Sequence, residues 1–150
     1  MREIVIKFLQ NNHFNQLDTE FDFYTNSQNS EYFIVSQYTS NELHNFFDDD
    51  KTSQVIKEFE RLSLKSEHEN IKKNTSLLIL VEVDNLKEAF EDEQIQKSIL
   101  LIEEDYYYFR KLIILYTRDG LLDLRDKDSN EMLYTYLNSN NLLSNSSLLS

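Results

Sequence analysis

The run Glu103-Glu104-Asp105-Tyr106-Tyr107-Tyr108-Phe109-Arg110 holds two kinds of side chain that do chemistry, three carboxylates and an aromatic cluster ending in arginine. Convergent carboxylates bind hard cations, and magnesium sites commonly use one or two of them. Glu103, Glu104 and Asp105 are consecutive, however, and neighbouring side chains in a strand or helix point apart. A small metal-dependent nuclease would also need Glu82, Asp84 and Lys111 brought beside them, and no recognised spacing supports that grouping. An acidic helix end or strand entry that recruits cations from a partner explains the three acids more simply. Tyr106 to Arg110 are the residue types that dominate protein-interface hot spots. They also stack single-stranded bases, but the adjacent acids repel a phosphate backbone. The simpler structural role is core filling by alternate aromatics, and interface and core are given equal weight.

Other chemistry is scarce. His13, His44 and His68 are scattered in polar surroundings, whereas zinc sites need three or four ligands with close local pairs. There is no cysteine, so thiolate ligands and disulfides are excluded. Gly120 is the one glycine and proline is absent, against averages of about 7% and 5%. A nucleotide-binding glycine loop and a nucleophile elbow both need more glycine than that. Turns fall to Asn, Asp and Ser, whose side chains bond nearby backbone groups. No residue is assigned a catalytic, cofactor or metal role.

The chain carries 27 acidic and 15 basic residues, a net charge of -12, and no Lys/Arg run exceeds two. Phosphate-tracking proteins need a basic face, so direct nucleic-acid binding is disfavoured and a basic protein partner is favoured. Nothing approaches the roughly 20 apolar residues of a membrane span. A soluble, cytoplasmic protein is expected.

The elements that position these residues follow from periodicity. Thr75 to Val83 is a nearly continuous apolar run suited to a central strand buried on both faces. Residues 108–117 read as a second strand. The link, Leu86 to Leu101, has helical spacing with a break at Glu91-Asp92-Glu93. Such a crossover makes the two strands parallel, and right-handed crossovers are the rule. Ile4 to Leu9 fits strand or helix equally, and Asn11 to Asp18 is polar. Glu20 to Tyr24 alternates acid with aromatic, and with Tyr32 to Val35 it predicts a hairpin across Thr25 to Ser30. Ser40 reads as a helix N-cap, and a second helix restarts at Thr52, with Val55, Ile56, Phe59 and Leu62 on one face. Residues 63–70 either extend it or connect to the strand. Asp119 to Asp126 and Asn130 to Leu137 read as short helices. The expected architecture is one α+β domain over 1–137, with a low-complexity tail over 138–150.

Lys72-Lys73-Asn74-Thr75 leading into the first strand, with the acidic-aromatic-basic block opening the second, resembles the middle component of bacterial ABC-ATPase three-component conflict systems. Lamassu-type phage defence belongs to that group. The resemblance covers about residues 70–120. Asn74 and Thr75 fit the family pattern at the strand entry, where the amide reads as a turn or cap. Tyr106 stands where the pattern often has proline. The resemblance implies a non-enzymatic adaptor between an SMC-like ABC ATPase and an effector, often a nuclease, with Glu103 to Arg110 as the partner-binding block. The alternatives are the metal-dependent nuclease and an acidic DNA mimic. Strand alternation sends Arg110 and Lys111 to opposite faces, and Arg110 is expected to be the structural member, tied to Glu82 or Glu104.

Overall fold

A computed structural model describes residues 1–124. The expected helix over 130–137 and the tail over 138–150 lie outside the described residues. The fold is α+β. A five-stranded mixed sheet is ordered β1 (Asn15–Gln16), β2 (Phe23–Thr25), β3 (Tyr32–Tyr38), β4 (Thr75–Glu82) and β5 (Arg110–Tyr116). β2 pairs antiparallel with both β1 and β3, while β3, β4 and β5 run parallel. The predicted hairpin is the β2–β3 pair, with Phe23 opposite Ile34. Its glycine-free turn is held by Asn26, whose Oδ1 accepts from Ser30 N at 2.9 Å and Glu31 N at 3.3 Å. β1 was not foreseen, since its two exposed residues bury nothing that would mark them in sequence.

β4 is buried on both faces, as its apolar run requires. Leu77, Ile79 and Val81 join a core beneath α2 (Ser40–His44), α3 (Asp50–Ser63), α4 (Leu86–Glu91) and α5 (Glu93–Glu103). Leu78 and Leu80 face the opposite side, where α1 (Arg2–Asn11) contributes Val5, Phe8 and Leu9. The ambiguous segment at Ile4 to Leu9 is thus helical. Leu121 of α6 (Arg118–Leu124) also packs against this second core. The crossover breaks where predicted: Asp92 caps α5, its Oδ1 accepting from Gln94 N and Ile95 N at 2.9 and 3.0 Å.

The N-cap of α2 is Thr39, not Ser40. Thr39 and Glu42 form a reciprocal capping box, which satisfies two backbone donors and outcompetes a lone serine. α3 begins at Asp50 with Asp49 as its cap, slightly before the restart expected at Thr52. Residues 66–68 form a short 3-10 turn, making the stretch after α3 a connection. Among the described residues no helix is long and apolar enough to cross a membrane.

A lysine-locked tyrosine loop as the candidate partner-binding site

The registers Tyr32↔Thr75 and Ser76↔Arg110 bring the starts of all three parallel strands to one end of the sheet. Here the aromatic block divides. It was expected to enter the strand from Tyr108, but β5 starts at Arg110 and residues 105–109 form a loop. Phe109 turns into the core, edge-on to Phe59 with ring centroids 5.2 Å apart. Tyr106 and Tyr107 are 77% and 78% exposed and Tyr108 is 46% exposed.

The loop is held by Lys111, which is only 2% exposed. Its Nζ donates to the carbonyls of Asp105 (3.1 Å), Tyr107 (2.9 Å) and Phe109 (3.1 Å). The same ammonium pairs with Asp105 Oδ2 at 2.9 Å. Four oxygens thus surround a charge that would otherwise be costly to bury. Tyr108, between two of those carbonyls, has φ 69°, and Phe109 N donates across it to Tyr107 O at 2.8 Å. A three-residue turn with positive central φ is rare and strained, and an aromatic residue there is a genuine outlier. Lys111 over-determines this geometry, as a strained turn requires.

Arg110 is not tied to Glu82 or Glu104 as expected. Glu82 pairs in register with Tyr116, at the other end of β5, six residues or about 20 Å away at the strand rise. The guanidinium instead donates from Nε and Nη2 to Ser76 Oγ at 3.1 and 2.9 Å. Among the described residues Arg110 makes no ion pair with Glu104. Opposite faces for the two cations do follow from the strand. The inward one is Lys111, on the side of Phe109 and Ile113 beneath α3 and α5.

The acids diverge. Glu103 Oε2 accepts from Ile113 N at 2.9 Å, covering a backbone donor of edge strand β5. Burial pushes its carboxyl up, and the hydrogen bond from Ile113 opposes that shift. Glu104 is exposed and Asp105 is tied to Lys111. Glu82 lies at the opposite end of the sheet, so the nuclease constellation is not assembled. Among the described residues no three of His, Asp and Glu form a metal-holding group. Near Glu82, Asn85 and Asp92 cap α4 and α5. His68 is buried, contrary to the polar surroundings expected, with its Nδ1 2.8 Å from Tyr32 Oη. Burial of its ring lowers its pKa.

Two grooves flank the loop. A polar one of about 540 Å³ is lined by Lys72, Lys73, Asn74, Ser76, Tyr106 and Arg110, among others. The other, about 800 Å³, runs along the end of α3 past Leu64 and Arg61 and shares Lys72, Tyr106 and Tyr108 with the first. The strand entry is capped by Thr75, whose Oγ1 donates to Ile71 O at 2.5 Å. Asn74, whose side chain was expected to cap there, is one of the residues lining the polar groove. Sequence reasoning missed Lys72, Lys73 and Leu64 as site residues. The adjacent lysine pair before the strand was visible, but its meeting with Tyr106 depends on the β4–β5 register.

No curated protein and no solved structure matches the chain. A family model, ABC-three component (ABC-3C) system Middle Component 1, matches residues 31–141. The match is wider than the 70–120 resemblance; it begins just before β3 and leaves out α1, β1 and β2. The chain therefore belongs to the Middle Component 1 family and is one component of a multi-component ABC-three component system.

Proposed function

We propose that this chain is the non-enzymatic adaptor of a bacterial anti-phage ABC-three component system of Lamassu type. In this reading it works in the cytoplasm, joining an SMC-like ABC ATPase to an effector of nuclease chemistry, and leaves ATP hydrolysis and cleavage to those partners. The observation that carries the reading is the tyrosine loop: Tyr106 and Tyr107 stand in solvent on a strained turn clamped by a buried lysine. Folding alone gains nothing from exposing two large rings on a rigid turn. Rigid, amphipathic aromatics with little left to lose in entropy are what an interface uses. Family membership supports the existence of other subunits.

The test is co-expression of the chain with the proteins encoded beside it, followed by size-exclusion chromatography and a cleavage assay on each purified component. The adaptor reading expects one complex containing the chain, and no cleavage of DNA by the chain alone with magnesium or manganese. Metal-dependent cleavage by the isolated chain, lost in Glu103→Gln or Asp105→Asn, would replace the adaptor with the nuclease.

A further inference from the structure

The molecule carries a net charge of -12, yet five cations line the two joined grooves beside the tyrosine loop. Lys72, Lys73 and Arg110 serve the polar groove; Lys57, Arg61 and the shared Lys72 serve the other. Glu31 and Glu60 are the carboxylates among the lining residues. Arg61 pairs with Glu58, whereas Lys72 and Lys73 enter no ion pair among the described residues. A cluster of one sign on a molecule of the other sign attracts anions only locally. The second groove adds an apolar surface, because Leu64 is 86% exposed next to the rings of Tyr106 and Tyr108.

We infer that the two grooves together receive an acidic, extended segment of another subunit. Its carboxylates lie against Lys72, Lys73 and Arg110, and an apolar side chain rests on Leu64 beside Tyr106. This rests on the adaptor reading and names the chemistry of the partner. A nucleic acid is the poorer occupant. A long polyanion reaches past the patch, within about 10 Å of the acidic remainder at 0.1 M salt, and is repelled there. A short acidic segment with apolar residues meets only the cations and the leucine. Arginine favours planar carboxylates, and the bonds that Arg110 donates to Ser76 Oγ hold the guanidinium in place at the strand entry.

The experiment uses the full chain and short overlapping peptides covering the sequences of the proteins encoded beside it. Binding is measured by fluorescence anisotropy, with a labelled single-stranded oligonucleotide as a parallel probe. The expected binders are peptides of net negative charge containing large apolar residues. Their affinity should fall with added salt, and Lys72→Glu with Lys73→Glu should weaken it at least about tenfold. Both lysines are exposed, so the melting curve of that variant should match wild type. Leu64→Ser should weaken the same peptides without changing their salt dependence. Neutral or basic binders, or acidic peptides indifferent to the lysine reversal, would overturn the inference while a co-purified complex left the adaptor reading standing. Tighter binding of the oligonucleotide, lost in the same variant, would also overturn it in favour of nucleic acid. If the wild-type chain forms no complex with the co-encoded proteins, the adaptor reading itself fails and takes this inference with it.

Discussion

Replacing Lys111 with methionine keeps most of the buried aliphatic stem and deletes the charge that organises the loop. The ammonium serves three carbonyls and one carboxylate. Removing one partner of a buried ion pair typically costs about 3–5 kcal/mol. Asp105 keeps 21% of its side-chain surface in solvent, and the freed carbonyls lie in a surface loop. Water therefore recovers part of the loss, which places the cost near the lower bound, about 3 kcal/mol. For a chain of this size each kcal/mol shifts Tm by about 2–4 °C, so Lys111→Met should melt about 6–12 °C lower. The turn at Tyr108 loses its clamp and relaxes toward negative φ, so Tyr106 and Tyr107 are no longer held for a partner. Differential scanning fluorimetry reads the first effect, and hydrogen exchange at the amides of residues 106–109 reads the second. Lys111→Met melting within about 1 °C of wild type, with unchanged exchange in the loop, would refute the lysine clamp.

Three further outcomes follow from the same geometry. Phe109→Ala should destabilise the fold by about 3–5 kcal/mol because it empties a core position, whereas Tyr107→Ala should stay within about 0.5 kcal/mol; chemical denaturation separates them. Glu103 has its pKa raised by burial, so the native state holds its proton to higher pH than the unfolded chain, and stability falls as pH rises from the ordinary carboxylate range through the raised value. Glu103→Gln, which retains an acceptor for Ile113 N, should therefore flatten that pH dependence in thermal melts and leave partner binding unchanged. Thr39→Ala breaks the capping box and should cost about 1 kcal/mol in urea unfolding.

Much of the fold was legible because hydrophobic period speaks directly. The Thr75–Val83 run buries both faces and could only be central, and the acidic triplet Glu91-Asp92-Glu93 marks the helix break at which Asp92 caps α5. The Thr39-x-x-Glu42 box is equally visible in the sequence, one residue ahead of Ser40. The clamp was harder to read. Ile113, Ile114 and Leu115 are apolar at every position, so alternation separates Arg110 from Lys111 without saying which one points inward. What decides it is the loop folding back over Nζ, a tertiary contact with no local signature. The split of the aromatic block has the same origin. Four aromatics in a row look like a strand with two aromatic faces, but the γ-turn at Tyr108 ends the regular geometry before β5 begins. Groove partners such as Leu64 and Tyr106 are distant in sequence and meet only once α3 and the loop are in place.

The central claim is that the exposed tyrosines bind another subunit and do not serve the fold. The measurement that tests it most directly is a binding titration of the full chain against the purified co-encoded components, comparing wild type with Tyr106→Ser/Tyr107→Ser. Truncating one hot-spot aromatic costs about 2 kcal/mol or more, which is about 30-fold, so the double variant should lose at least that much affinity while keeping its circular dichroism and melting temperature. Undiminished affinity in a folded double variant would contradict the claim.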